Sequence, residues 1–178
     1  MSINNNVWQH GAIGSCIAVV FSLVAYLIGF EALVSTAYAG ANFLLIVLTM
    51  VLISRSIRQD VEGEISFFNL FVHLTLGVLC ILVARQAFNF VLYNFINPEL
   101  IEYVIDFNIE NSEKILEMFN VQNQVDVESL RVESENSIRF GFTLIGSIIG
   151  VVGLYFTWLV PIIIASAIYK RSSPDAIR

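Results

Sequence analysis

Residues 65–84 read ISFFNLFVHLTLGVLCILVA and contain no Asp, Glu, Lys or Arg. A helix of about 20 residues rises about 30 Å, which is the thickness of the hydrocarbon core of a bilayer. A helix is favoured over a strand because the apolar residues are continuous rather than alternating, and because a lone strand leaves its backbone groups unsatisfied in lipid. The stretch therefore predicts a membrane-spanning helix.

Three further stretches of the chain are also free of charge: residues 1–30, 32–54 and 140–169. The chain of 178 residues is 57% hydrophobic and only 13% charged, about half the charge of an ordinary soluble domain. We therefore predict an all-α integral membrane protein that forms a single four-helix membrane domain over residues 1–178. Its transmembrane helices are expected near residues 11–30, 34–53, 66–92 and 140–168.

The basic residues near the ends of the spans predict the orientation, because cytoplasmic loops are enriched in Lys and Arg. Two segments carry most of them: the segment after the second span and the segment after the fourth. Their residues are Arg55, Arg58, Lys170, Arg171 and Arg178. Both segments, and hence both termini, are expected in the cytoplasm. Arg85 and Arg139 lie toward the opposite side and weaken the bias.

The segment between the third and fourth spans is acidic, and residues 94–139 contain ten acidic and three basic side chains, a net charge of −7. It begins in YNFINPEL, residues 93–100, where Asn97, Pro98 and Glu99 form a typical helix start. We predict an extracytoplasmic acidic helical cap over residues 97–136, built from two short amphipathic helices and a less structured part from 120 to 136. Its charge disfavours binding to nucleic acid or to anionic headgroups.

These elements together resemble a bacterial family, common in Bacteroidetes and catalogued as domain of unknown function 4199. The resemblance rests on the Ile65-Ser66-Phe67 start of the third span and on the Asn-Phe-Ile-Asn-Pro-Glu exit. A Gly-containing first helix and a Gly-rich last helix that ends in basic residues complete it, from about Gly11 to Arg171. The resemblance implies a four-helix protein of the bacterial inner membrane, with no established activity and no catalytic residues.

Polar residues form a strip on the third span, where Asn69, His73 and Gly77 recur every four residues. One interpretation makes His73 a proton-relay or ligand group, because ionisable residues within spans are often functional. The other is that His73 and Asn69 hydrogen-bond to neighbouring helices. The second is favoured, because a single His without a nearby intramembrane carboxylate is a weak relay.

Arg85 lies near the predicted outer edge of the hydrocarbon, where an inward-pointing guanidinium needs an acceptor. Glu31 and Glu99 are the candidates, and the sequence does not choose between them. Pinning of the outer end of the bundle is the favoured role. The alternatives are that Arg85 forms part of a site for a substrate or lipid headgroup, or that it is simply solvated.

Small residues predict close approach of helices. Gly146 and Gly150 form a GxxxG motif in the fourth span, and the first span repeats Gly14, Ala18 and Ser22 at the same spacing. A partner helix within the same chain is favoured over a second copy of the chain.

The acidic segment also places Asp106, Asn108, Glu110 and Glu117 at positions of an EF-hand-like loop, but Asn111 stands where that loop needs Gly. A solvated acidic turn is therefore preferred, and no metal or cofactor is predicted. No nucleophile or zinc motif occurs in the sequence, so an enzyme is not expected.

Two classes of function follow for a protein that lies in the lipid bilayer. The favoured one is a non-enzymatic inner-membrane scaffold or accessory subunit whose acidic cap meets an envelope protein partner, or that forms a homo-oligomer. The alternative is a small transporter or channel component that uses Glu31, Asn69, His73 and Arg85. No partner among nucleic acids is expected.

Overall fold

The structure, a computed structural model, describes residues 5–60, 65–119 and 127–170. The elements in these ranges are helical: α1 (Asn5–Ile28), α2 (Phe30–Val34), α3 (Thr36–Asp60), α4 (Phe67–Val91), a π-helical turn (Leu92–Ile96), α5 (Glu99–Met118), α6 (Val127–Gly141) and α7 (Leu144–Tyr169).

Four helices in the described part of the chain are long and apolar enough to cross a membrane, which confirms the predicted helical class with four candidate spans. The spans are Val7–Ile28, Thr36–Gln59, Phe67–Ile96 and Leu144–Tyr169. The second continues beyond its predicted end at residue 53, because Arg55 and Arg58 remain helical and long basic side chains can reach toward the headgroups.

Local backbone chemistry determines where two of the spans begin. Gly29 separates α1 from α2 with a φ of 144°, a conformation that side-chain-bearing residues rarely adopt. Ser35 then starts α3, because its Oγ accepts a hydrogen bond of 3.1 Å from the backbone N–H of Tyr38. Thr143 starts α7 in the same way and accepts a bond of 3.0 Å from the N–H of Gly146. The fourth span therefore begins later than the predicted residue 140.

The chain forms two compact units, and the first consists of residues 1–85 and 151–178. Its core is built from aliphatic side chains of α1, α3, α4 and α7. The fully buried large ones are Val7, Ile46, Ile53, Leu70, Leu74, Val78, Ile81, Leu82 and Ile162. Trp158 of α7 stacks on Phe43 of α3 with ring centroids 5.0 Å apart. The packed interior of this unit thus joins helices that are distant in sequence.

The second unit, residues 86–150, contains the helical pair α5–α6, which we call the acidic hairpin. Leu100, Ile105 and Ile109 are its buried residues on α5. The helix begins at Glu99, as the Asn97-Pro98-Glu99 sequence predicts, although Asn97 contributes its carbonyl, not its side chain, to the first turn.

Two predictions about this hairpin were wrong. α5 is one helix of 20 residues rather than two short ones, and residues 127–136, expected to be less structured, belong to α6. The acidic stretch 106–117, predicted as a turn, is also helical, because the buried face of α5 continues through Ile105 and Ile109. The remainder of the predicted loose part, 120–126, lies outside the described residues.

Candidate functional site

In the polar strip of α4, the side chain of His73 bonds the backbone of its own helix. His73 is 3% exposed, and its Nδ1 lies 2.6 Å from the backbone carbonyl oxygen of Asn69. A carbonyl oxygen only accepts, so Nδ1 carries the hydrogen in this contact. Within the described ranges, the Asn69 Oδ1 and Thr75 Oγ1 atoms are buried without a hydrogen-bond partner. The structure therefore brings the predicted Asn69 and His73 together.

Glycines let α1 and α4 approach their neighbours in the same region. A Cβ on Gly14 would lie 2.8 Å from Ile81 Cδ1 of α4 and 2.9 Å from Thr49 Oγ1 of α3. A Cβ on Gly77 would overlap Ile53 Cδ1, the end of a fully buried side chain of α3. Side chains thus fill the space beside the polar strip, and α1, α3 and α4 pack in direct contact there.

Other hydroxyl groups in the spans are also satisfied locally. The Oγ atoms of Ser22, Ser54 and Ser166 each donate to a backbone carbonyl four residues earlier in the same helix. Ser22 also bonds the hydroxyl of Tyr38 at 2.7 Å, which joins α1 to α3. These groups stabilise helices and their contacts, and their arrangement is typical of structural polar residues in membrane helices.

Arg85 and its candidate acceptors are placed as follows. Arg85 is half-buried on α4, and Glu31 is exposed on the short helix α2 of the same unit. Among the residues that the structure describes, these two form no ion pair. Glu99 is exposed at the start of α5, in the other unit, and its pairing with Arg85 stays a prediction.

The glycines of the GxxxG motif have different surroundings. A Cβ on Gly146 would overlap the backbone carbonyl of Phe140, so Gly146 serves the tight turn between α6 and α7. Gly150 has only Gln86 Nε2, at 3.9 Å, near the position of a Cβ. The crowding at Gly146 comes from the turn and not from a partner helix, so the motif's packing partner stays a prediction.

A junction in the second unit was missed by the sequence reasoning. The side-chain amide of Asn94, in the π-helical turn, donates to the carbonyl oxygen of Phe142 at 3.0 Å and to that of Phe90 at 2.9 Å. The rings of Tyr93 and Phe142 lie 4.4 Å apart. These contacts fix the end of the third span to the turn before α7. The available signal was weak, because Asn94 is one of three Asn residues in the apolar, aromatic stretch 87–97, and nothing in the spacing marks it out from Asn89 and Asn97.

An ion-pair network joins the two helices of the acidic hairpin. Arg139 of α6 donates to Glu102 of α5 at 2.9 Å and to Glu135 of its own helix at 2.9 Å. These hydrogen bonds raise the pKa of Arg139 above its usual range, so this guanidinium stays charged at every accessible pH. The network therefore links α5 to α6 through exposed side chains.

The surface of the acidic hairpin combines apolar side chains with carboxylates. Four large apolar residues are about half exposed or more: Ile115, Met118, Phe119 and Val132. A cavity of about 230 Å³ opens between α5 and α6 within this unit. Within the described ranges, no three His, Cys, Asp or Glu side chains group to hold a metal ion.

The fold defines a small all-helical protein with four candidate membrane spans, which suggest a multi-pass membrane protein, and an acidic helical hairpin that lies between the third and the fourth in the chain. The chain belongs to the family described as "Protein of unknown function (DUF4199)", whose model matches residues 9–171. No curated protein and no solved structure matches the chain.

Proposed function

We propose that the chain is a non-enzymatic scaffold or accessory subunit of the bacterial inner membrane, and that its acidic hairpin binds a protein partner on the outer side. The observation that carries this proposal is the amphipathic surface of the hairpin. Met118 is 78% exposed, and Phe119 and Ile115 lie beside it among carboxylates of α5. Exposed apolar side chains within a polar surface are typical of protein interaction sites.

The proposed orientation of the protein in the membrane rests on its basic residues. Arg55 and Arg58 lie at the end of α3, and Lys170 follows α7. With these segments in the cytoplasm, both termini are cytoplasmic and the hairpin is extracytoplasmic, since it connects the third and fourth spans.

The interior of the first unit favours a scaffold over a transporter. Residues beside the polar strip of α4 are closely packed: Ile53 fills the space against Gly77, and Ile81 the space against Gly14. A transport path needs polar groups that line a water-accessible cavity, usually at broken helices near the midplane. The serines of the spans instead bond their own helices, which is the arrangement of a structural bundle.

The test is site-specific photo-crosslinking in living bacterial cells. A photoreactive residue at Met118 should give one discrete protein adduct, identified by mass spectrometry. The matched control is Ile168 of α7, which is 69% exposed but lies on a membrane span and should give no such adduct. The proposal fails if positions on the hairpin give no protein adduct. A second result would favour the transporter instead: proteoliposomes that contain the protein show solute flux, and His73→Gln abolishes it.

A further inference from the structure

The cavity between α5 and α6 has the form of an apolar groove with charged edges. We call it the interhelical groove. Ile109, Ile115 and Leu116 of α5 line its apolar part, and Glu113 and Arg131 face it from α5 and α6. Its volume of about 230 Å³ is below the range of about 300–1,000 Å³ that is typical of small-molecule sites. A groove of this size accommodates anchoring side chains of another protein better than a drug-sized molecule.

The charge of the hairpin restricts what can occupy the groove. Residues 99–141 carry ten acidic and three basic side chains, a net charge of −7. A second copy of the hairpin would bring an equal negative charge against it, and an anionic lipid surface would repel it too. A partner with basic residues around an apolar stripe matches both features, because its charge is complementary and its apolar side chains have a place to bind.

We propose that the interhelical groove binds one amphipathic helix of the partner protein, with a basic polar face and an apolar stripe. This inference rests on the proposed function and names the class of partner. An apolar side chain of that helix lies on Ile109 and Leu116, and a Lys or Arg beside it pairs with Glu113. Helix-in-groove recognition of this kind uses apolar anchors at positions i, i+3, i+4 and i+7.

The two charges at the groove also orient the bound helix. Glu113 lies on α5 and Arg131 on α6, so opposite edges of the groove carry opposite charges. A helix that places its basic residues against α5 gains from both edges, whereas the reversed helix places Lys or Arg against Arg131. The groove therefore selects a direction only for a helix whose basic residues lie on one side of its apolar stripe.

The test uses the full-length protein in nanodiscs of phosphatidylcholine and a fluorescent synthetic helix in which Leu forms the apolar stripe and Lys occupies the other positions. Anisotropy should show binding at least about tenfold tighter to loaded than to empty discs. Two comparison peptides have a scrambled order or Glu in place of Lys, and both should bind weakly.

The variant Ile115→Lys adds a like charge inside the groove and should weaken binding about tenfold, the loss typical of an interface anchor. The matched control is Val132→Lys. Both side chains are about half exposed, 51% and 54%, and both changes add one positive charge to the hairpin, but Val132 lies outside the groove. The control should change the dissociation constant by less than about twofold. Glu113→Gln should weaken binding and reduce its salt dependence, whereas Asp106→Asn, at an exposed residue of α5 that does not line the groove, should not.

Three results would overturn the inference: no binding beyond that of empty discs, equal binding of the Glu peptide, or equal losses for Ile115→Lys and Val132→Lys. Photo-crosslinking at Met118 separates this inference from the proposed function. An adduct that forms equally well with Ile115→Lys retains the partner and rejects the groove. Peptide binding without an adduct in cells retains the groove and rejects the cellular function.

Discussion

Gly77 provides the sharpest test of how the spans pack. A Cβ at this position would overlap Ile53 Cδ1, whereas the next atom of Ile53, Cγ1, lies 3.7 Å away in ordinary contact. Ile53 is fully buried, so its side chain has little space in which to move. We therefore expect Gly77→Ala to destabilise the protein, and Ile53→Val, which removes Cδ1, to relieve that effect.

The magnitudes follow from opposing contributions. Overpacking a buried site costs about 1–3 kcal/mol, and Ala stabilises a helix over Gly by about 1 kcal/mol, so Gly77→Ala should cost about 0–2 kcal/mol in the free energy of unfolding. Ile53→Val alone should cost about 0.5–1.5 kcal/mol. With the overlap removed, the Ala gain of about 1 kcal/mol remains, so the double variant should be about 1 kcal/mol more stable than Ile53→Val, which corresponds to a favourable coupling of about 1–3 kcal/mol.

The measurement is thermal unfolding of the four proteins of the cycle, purified in a mild detergent. A change of 1 kcal/mol moves the midpoint by about 2–4 °C for a chain of this size, which is measurable. Gly153→Ala is the control, because no described atom lies within 4 Å of a Cβ there, and it should leave stability unchanged or increased. If Gly77→Ala is as harmless as this control, or if Ile53→Val fails to relieve it, the close approach of α3 and α4 is refuted.

Three further outcomes are expected. Asn94→Asp removes the amide donor that joins the π-helical turn to the turn before α7, so it should lower the midpoint of thermal unfolding by about 2–6 °C. The control is Asn108→Asp, because the Asn108 amide bonds only its own exposed helix, and it should change the midpoint by less than about 1 °C. Arg139→Gln should increase hydrogen exchange across α5 and α6, and high salt should have the same effect on the unmodified protein. A change of pH between about 6 and 10 should not alter the contribution of Arg139 to stability. The raised pKa keeps this group charged throughout that range, so its contribution to stability does not change there. In a background without native cysteines, Gln59→Cys should be shielded from an impermeant thiol reagent in intact cells and Ser112→Cys labelled; the reverse pattern would invert the orientation.

The spans were predictable because the hydrocarbon thickness fixes how many apolar residues a helix needs, and this requirement is local. The continuity of α5 could not be predicted in this way. The two short helices were predicted from two separate apolar patterns, and Asn108 and Ser112, which favour turns by propensity, lie between them. In the structure, the Asn108 amide bonds the carbonyl of Val104 and the Ser112 hydroxyl bonds that of Asn108, so both groups are satisfied within the helix. Burial of Ile105 and Ile109 then outweighs the propensity.

The close contacts between helices were predictable only in part. The spacing of Gly14, Ala18 and Ser22 indicated a packed face on the first span, and the last two are fully buried. The partners of this face depend on how the helices rotate in three dimensions, which a periodic pattern does not specify. For the same reason the acceptor for Arg85 could not be chosen from the sequence, and Gly146 was assigned to helix packing although a turn requires it.

The sign of the charge on α5 bears on whether its exposed apolar side chains contact lipid or protein. Amphipathic helices that lie on a membrane surface typically carry Lys and Arg on their polar face, because the headgroups are often anionic. The described part of α5 instead carries Glu and Asp, with Lys114 engaged by Glu110 of the same helix at 2.7 Å. Such a helix gains little from a lipid surface. The charge of α5 therefore supports the proposal that exposed Ile115, Met118 and Phe119 contact a protein of opposite charge rather than lipid.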